Sequence, residues 1–228
     1  MIPLRDTIPS RRWPVMNVLI ILGSLLVFFY QIKLLRLNPD AYRALIDQYG
    51  LIPAHVWRGQ PITPAVAWPF VSYIFLHGSW LHVIGNLWAL WLFGDNVEDR
   101  MGSFRYLLFY LLCGIVAGMV HCWSEPSSAM VTIGASGAIA GVMGAYFVMY
   151  PSARIVTLIP ILFIPLFIRI PAVIYLGFWL LTQVYSMVLS QSGAGTAANI
   201  AFAAHVGGFV GGMILHPFFC RARYRYGD

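Results

Sequence analysis

The sequence predicts an all-α membrane protein with six transmembrane helices and both termini in the cytoplasm. The first observation is composition: 60% of the 228 residues are hydrophobic and 10% are charged, against roughly 45–50% and 25% in a soluble domain. A water-soluble globule is therefore excluded. The second observation is where the charges fall, because charged side chains are costly in hydrocarbon. They leave six uncharged runs: residues 13–32, 59–94, 106–124, 126–153, 155–168 and 170–220.

The lengths of these runs decide the number of spans. A spanning helix needs about 20 apolar residues, so the last run has room for two helices, whereas 155–168 is too short for one. Pro160 and Pro165 interrupt that short run, which is expected at the cytoplasmic interface. The six helices are expected at about Pro14–Leu35, Val71–Phe93, Tyr106–Trp123, Gly134–Tyr150, Ala172–Leu189 and Asn199–Phe219.

The connections follow from the same boundaries, and the whole chain, 1–228, reads as one integral membrane domain. Residues 36–67 form a long outer loop, whose Trp and Tyr side chains suit a membrane interface. A charged inner loop is expected over 95–105, and short outer turns over 124–130 and 190–196. No internal repeat is visible, which argues against an inverted-repeat transporter.

The orientation comes from the basic residues, which concentrate on the cytoplasmic side of membrane proteins. This rule also accounts for the net charge of +6 without a nucleic-acid partner. The first span is longer than the apolar region of a typical signal peptide and is expected to be retained in the bilayer. A cytoplasmic N-terminus puts ten of the fourteen basic residues inside: Arg5, Arg11, Arg12, Arg100, Arg105, Arg154, Arg169, Arg221, Arg223 and Arg225.

The three cysteines, Cys113, Cys122 and Cys220, lie in or beside apolar spans and form no CxxC or Cys/His pattern. They are interpreted as small core residues. They therefore give no sign of a zinc site, and the sequence indicates no oligomeric state.

Four polar residues within the spans are candidates for chemistry. His82 and Asn86 are four apart and share one face of the second helix. Ser136 lies near the outer end of the fourth helix and His205 near the outer end of the sixth, so all four are expected in the outer half of the membrane. A glycine-flanked serine is often a packing device, and a buried histidine often only joins helices.

The combination of the four favours catalysis, because a serine needs a base and a tetrahedral intermediate needs neutral donors for its oxyanion. The GxxxG spacings Gly137/Gly141 and Gly208/Gly212 predict close contact of the fourth and sixth helices, which would bring Ser136 to His205. None of the eight carboxylates falls within a span. The sequence therefore predicts a Ser–His dyad whose base is oriented by packing, a hydroxyl or water.

Four ordered motifs carry a family resemblance. They are FLHGSWLHVIGN at 75–86, FGDNVEDRMG at 93–102, GASGAIAGVMGAY at 134–146 and AHVGGFVGG at 204–212. Over about residues 68–217 the chain resembles the bacterial rhomboid intramembrane serine proteases of the six-helix core type. The resemblance implies a multi-pass protein of the bacterial cytoplasmic membrane that cuts transmembrane protein substrates in or near their membrane segments, without metal or cofactor.

The resemblance also implies roles for individual residues. Ser136 would be the nucleophile and His205 its base, while His82 and Asn86, with the Ser136 amide, would form the oxyanion hole. His77 matches a recurrent histidine with a structural role.

Two positions depart from the family pattern and bear on the orientation of His205. Trp68-Pro69 stands where many members have Trp-Arg, and Ala140 stands where many have an aromatic residue one turn after the nucleophile. The alternatives are a rhomboid-like protein that binds clients without cleaving them, or a small transporter. Inactive relatives typically lack the serine or the histidine, and both are present here.

Overall fold

The computed structural model describes residues 2–57, 63–161, 164–191 and 201–221. Most of these residues are helical. The helices are α1 (Val15–Leu37), α2 (Pro39–Tyr49), α3 (Pro53–Val56), α4 (Pro64–Ala67), α5 (Pro69–Ser72), α6 (Trp80–Met101), α7 (Ser103–Ser124), α8 (Ser136–Met149), α9 (Ala172–Gln191) and α10 (Phe202–Phe219), with a 3-10 turn at Tyr73–Phe75. The strands are β1 (Ile2–Arg5), β2 (Arg154–Ile161) and β3 (Ile164–Pro171).

Four helices of the described part are long and apolar enough to cross a bilayer, as expected of a multi-pass integral membrane protein. They are α1, α7, residues Ala172–Ser190 of α9, and α10. Helix α6 has 22 residues, but its last two turns carry Asp95, Glu98, Asp99 and Arg100. Helix α8 has 14 residues and is about 21 Å long, less than the hydrocarbon thickness of about 30 Å. Six complete spans and cytoplasmic termini stay predictions.

Helix α6 begins nine residues later than the predicted Val71. Residues 64–75 instead form short helical turns, and the chain is extended before Ser79. Ser79 caps α6, because its hydroxyl accepts a hydrogen bond from the His82 amide at 3.2 Å. The apolar run concealed this break, although the Gly78-Ser79 pair is a helix-start signal.

The predicted charged loop 95–105 is wrong, because α6 continues to Met101 and only Gly102, at φ +81°, separates it from α7. The charges are tolerated in the helix because they have partners. The Glu98 carboxylate accepts hydrogen bonds from the amides of Met16 (3.0 Å) and Asn17 (2.7 Å). These are unpaired amides at the start of α1, which has no side-chain cap of its own. Glu98 therefore joins α1 to α6.

The all-α class is also wrong at one place, because the chain between α8 and α9 is a β-hairpin. Strands β2 and β3 pair antiparallel from Arg154↔Pro171 to Ile161↔Ile164, and β1 adds to β2, giving the order β1-β2-β3. Most residues of the hairpin are β-branched or aromatic, which favours strands. The sequence reading excluded a span here correctly but proposed no strands.

Helix α8 lies at the centre, with eleven of its fourteen residues buried. It contacts α10 backbone to backbone: a Cβ added at Gly208 would overlap the carbonyl oxygen of Gly137, and one at Gly212 would overlap that of Gly141. The close approach predicted from the GxxxG spacings is confirmed. It brings the first turns of α8 and α10, and their polar residues, together.

Candidate active site

Ser136 and His205 meet where the two central helices begin. Ser136 is the first residue of α8, and His205 lies in the first turn of α10. The Nε2 atom of His205 lies 2.8 Å from the Ser136 hydroxyl oxygen, which is hydrogen-bond distance for a nucleophile and its base. Both residues line one cavity and are half-buried.

Gln183 of α9 supplies the partner of His205 that sequence reasoning did not identify. The other ring nitrogen, Nδ1, lies 2.7 Å from Oε1 of Gln183. The signal was present, because Thr182 and Gln183 are adjacent polar residues within an apolar run, and polar groups at membrane depth need a partner or a function. It is not sufficient on its own, because the sequence does not report which face of α9 meets α10.

Aromatic rings also hold the imidazole, although Ala140 leaves no aromatic side chain on α8 itself. The Trp179 ring is tilted by 37° to the His205 ring at a centroid distance of 5.9 Å. Phe202 meets the same ring edge-on at 6.4 Å. Two rings from α9 and α10 therefore pack against His205.

His82 and Asn86 line the same cavity from α6. Asn86 is 8% exposed, and its Nδ2 donor has no hydrogen-bond partner among the described residues. The Gly78 amide approaches Nδ1 of His82 at 3.5 Å. A donor at Nδ1 places the imidazole hydrogen on Nε2. Both side chains therefore carry N–H groups available to a bound oxygen.

Gly134 sets the distance between α6 and the start of α8. Its φ of +136° is a conformation that residues with a side chain rarely adopt. A Cβ there would lie 2.7 Å from Nε2 of His82. Only glycine lets the backbone before Ser136 approach His82 this closely.

Backbone amides at the start of α8 add further donors to the cavity. The residue before the helix, Ala135, has no side-chain oxygen to cap them. Unpaired amides at a helix start carry partial positive charge and favour a negatively charged group. Ser136 and Gly137 both line the cavity at this end of the helix.

The cavity has a volume of about 550 Å³ and is open on one side. Its walls come from α6 and the segment before it, α8 and the segment before it, and the start of α10. They are lined by Tyr73, Gly78, Ser79, Leu81, His82, Asn86, Val131, Thr132, Ile133, Gly134, Ser136, Gly137, Ala201, Ala204 and His205. All four residues singled out from the sequence therefore lie in one cavity.

His77 is fully buried and lies outside this set. Its backbone exchanges two hydrogen bonds with the Gln31 side chain of α1: Nε2 of Gln31 donates to the His77 carbonyl at 3.2 Å, and the His77 amide donates to Oε1 at 3.1 Å. Its ring meets the His82 ring edge-on at 5.2 Å. The structure thus gives His77 contacts that fix the chain before α6.

Comparison with known proteins identifies the family of the chain. The family model that describes the rhomboid domain matches residues 64–222. Rhomboid protease GluP of Bacillus subtilis (strain 168) is 32% identical over 147 residues, which are 64% of this chain and 25% of that protein. Rhomboid protease GlpG of Klebsiella pneumoniae (strain 342) is 31% identical over 96 residues, 40% of this chain and 33% of that protein.

A plant protein also matches. RHOMBOID-like protein 5 of Arabidopsis thaliana is 35% identical over 78 residues, 34% of this chain and 25% of that protein. The matches therefore span a quarter to a third of these three relatives. The family model, in contrast, covers more than two thirds of the chain. The chain belongs to the rhomboid family.

Proposed function

We propose that this protein is an intramembrane serine endopeptidase that cleaves membrane-anchored proteins in or near their transmembrane segments. The observation that carries the proposal is the 2.8 Å contact between Ser136 Oγ and His205 Nε2. It lies in a cavity that also holds unpaired donors. Two of the relatives are named rhomboid proteases, which agrees with the same chemistry.

The first step is attack on the scissile carbonyl. Nε2 of His205 takes the hydroxyl proton as Ser136 Oγ bonds to the carbonyl carbon. The carbonyl oxygen becomes an oxyanion, and Nε2 then gives the proton to the leaving amine. The product of this half-reaction is an acyl-enzyme on Ser136.

The oxyanion is held by neutral donors from two helices. Asn86 Nδ2 and His82 Nε2 come from α6, and the Ser136 amide comes from the start of α8. Preorganised donors of this kind act on charge that develops only in the transition state. Asn86 suits this role because its donor has no partner among the described residues.

The second half-reaction needs water at membrane depth. Because α8 is about 9 Å shorter than the hydrocarbon layer, its first residue lies below the surface when its last residue is at the opposite surface. The open cavity gives water a path to Ser136. Nε2 of His205 takes a proton from that water as its oxygen bonds to the acyl carbon, and gives the proton to Ser136 Oγ as the ester bond breaks and the carboxylic acid product leaves.

Substrate reaches the site between helices. In the most hydrophobic stretch of α9 only 11% is buried, against 44% in that of α7. Helix α9 is therefore the most weakly packed of the four hydrophobic helices. It borders His205 directly. Helix α9 and the segment between α1 and α6 are the parts that govern access.

A client-binding protein without activity and a small transporter are the alternatives. Neither requires a serine hydroxyl at hydrogen-bond distance from an imidazole whose other nitrogen is also held. The site geometry favours the protease.

Cleavage of a single-span reporter protein in proteoliposomes tests the proposal. Ser136→Ala removes the nucleophile, and we expect cleavage to be lost with an unchanged unfolding temperature. Ser152→Ala, at an exposed turn remote from the cavity, is the matched control and keeps full activity. Cleavage by Ser136→Ala at the wild-type rate would overturn the proposal.

A further inference from the structure

We propose that Thr182 and Gln183 of α9, anchored on the Trp179 carbonyl, fix the tautomer of His205 and so replace the carboxylate of a catalytic triad. We call this set of hydrogen bonds, from the Trp179 carbonyl through Thr182, Gln183 and His205 to Ser136, the relay. The inference rests on the proposed function, because it concerns the base of that reaction. It accounts for the orientation of His205, which has no hydrogen bond to a carboxylate among the described residues.

The direction of the relay follows from its first member, a carbonyl oxygen that can only accept. The Thr182 hydroxyl lies 2.6 Å from the Trp179 carbonyl and donates its single hydrogen to it. Thr182 Oγ1 can therefore only accept from Gln183, whose side-chain nitrogen lies 3.2 Å away. This bond fixes which end of the Gln183 amide is the nitrogen.

The tautomer of His205 follows from this orientation of the Gln183 amide. With its nitrogen on Thr182, Gln183 presents Oε1 to His205 at 2.7 Å. An amide oxygen only accepts, so Nδ1 of His205 must carry the hydrogen. Nε2 then holds a lone pair, and it faces the Ser136 hydroxyl at 2.8 Å. Every donor in the relay points away from Ser136, which leaves Nε2 ready to accept the serine proton.

A neutral amide is a suitable hydrogen-bond partner for His205 within a membrane protein. A carboxylate would fix the same tautomer, but it would bury a charge that is costly in a membrane protein. Two ionisable groups on neighbouring helices interact electrostatically with His205: His82 of α6 and His121 of α7. No carboxylate of the described residues hydrogen-bonds to His205.

Two substitutions of Gln183 test the relay by the pH dependence of reporter cleavage and of Ser136 labelling by a fluorophosphonate. Gln183→Leu removes the acceptor, and we expect kcat to fall about ten- to hundredfold while KM changes less than about twofold. Gln183→Glu keeps an acceptor oxygen and adds a negative charge that stabilises the imidazolium. The acidic limb of its pH–activity curve, where His205 becomes protonated, should therefore move to higher pH by about one unit.

Thr182 provides a second test that does not touch His205. Thr182→Val keeps the shape of the side chain and removes the hydroxyl, so the Gln183 amide is free to turn its nitrogen toward Nδ1. We expect a loss of about three- to tenfold in kcat. Thr182→Ser keeps the hydroxyl and should restore at least half of the wild-type rate.

The outcomes separate the relay from the proposed function. Wild-type kcat in Gln183→Leu, or an unmoved acidic limb in Gln183→Glu, would overturn the relay while Ser136 remains labelled. Absence of labelling in the wild-type protein would overturn the proposed function instead. If Gln183→Leu does not fold, Gln183→Glu and the two Thr182 variants still test the relay. Equal cleavage rates in Thr182→Val and Thr182→Ser would contradict it.

Discussion

Asn86 differs from the other buried amides of α1 and α6 in having a donor without a protein partner. Asn17, in contrast, donates to the Leu90 carbonyl at 3.1 Å and accepts from the Tyr106 hydroxyl at 2.8 Å. A buried unpaired donor is costly to a folded protein. Its retention beside Ser136 is explained if a reacting oxygen becomes its partner.

Replacing Asn86 by leucine tests this explanation. No described hydrogen bond of its Nδ2 group is lost, so we expect an unfolding temperature equal to or above that of the wild type. The oxyanion loses one donor, and kcat should fall by about 10²-fold. Steady-state kinetics and thermal unfolding measure the two effects.

Asn17→Leu is the matched contrast, because there the same substitution breaks two buried hydrogen bonds. It should destabilise the protein by about 1–3 kcal/mol. A kcat unchanged by Asn86→Leu would contradict the oxyanion role.

At the residue scale the sequence predicted the four cavity residues but not the holder of His205. All four were singled out as polar residues within apolar spans. The spacing of four put His82 and Asn86 on one helix face, and the GxxxG spacings brought Ser136 to His205. Gln183 approaches His205 from another helix, and no spacing along the chain reports a contact between helices whose relative rotation is unknown. Ala140 signalled a missing aromatic neighbour, and the structure supplies Trp179 and Phe202 in its place.

Among the elements, the α8–α10 pair controls the distance between nucleophile and base. Their backbones touch because Gly137 and Gly141 face Gly208 and Gly212. A side chain at Gly208 or Gly212 would overlap the α8 backbone and separate the two helices. A misplacement of about 1 Å can cost about 10²-fold in rate.

Gly208→Ala is expected to separate the helices. Its Cβ would overlap the Gly137 carbonyl oxygen, so we expect at least about a hundredfold loss of reporter cleavage and a destabilisation of about 1–3 kcal/mol. Gly23→Ala on α1, where a Cβ meets nothing within 4 Å, is the control. It should keep full activity and raise the unfolding temperature, because alanine favours helix over glycine by about 1 kcal/mol. Equal effects of the two substitutions would be inconsistent with the proposed packing.

The segment after β1 is joined to the helices by a carboxyl group. Asp6 accepts hydrogen bonds from the Tyr146 hydroxyl of α8 and from Nδ2 of Asn96 at 2.9 Å. Burial raises the pKa of Asp6 from 3.8 to about 6, and the charge of Asp95 adds to the rise. The folded protein therefore binds this proton more tightly than the unfolded chain, and Asp6 makes stability fall as pH rises from about 4 to 6.

Asp6→Asn removes this titration and keeps an oxygen that can accept from Tyr146. We expect a higher unfolding temperature than the wild type at pH 7.5, and a smaller difference at pH 4. Asp40→Asn, at an exposed ion pair with Arg43 on α2, is the control with no such trend. Parallel curves of unfolding temperature against pH for wild type and Asp6→Asn would refute this role.

Element boundaries were predicted well where hydropathy alone decides them, as for α1, α7 and α9. They were predicted poorly where contacts with other elements determine them. Charges were expected to end the second helix, but Glu98 is paired with α1 and the helix continues. The pairing of β2 with β1 was not foreseen, because it joins residues more than 150 positions apart.

For the whole molecule, scarcity of charge was sufficient to predict a multi-pass membrane protein, because the hydrocarbon excludes charge along the entire chain. It was not sufficient to predict the class fully, since a three-stranded sheet adjoins the helices. Neither could it predict that α8 would be short and central. The position of α8 depends on how the other helices surround it, and hydropathy along the chain does not report that packing.

The central claim is that His205 activates Ser136 in this cavity, and covalent labelling tests it most directly. The purified protein would be treated with a fluorophosphonate and the modified residue located by peptide mass spectrometry. We expect labelling at Ser136, lost in His205→Ala and retained in His216→Ala, whose imidazole is hydrogen-bonded to the Met213 carbonyl of its own helix. Labelling of Ser136 in His205→Ala at the wild-type rate, or none in the wild-type protein, would contradict the account.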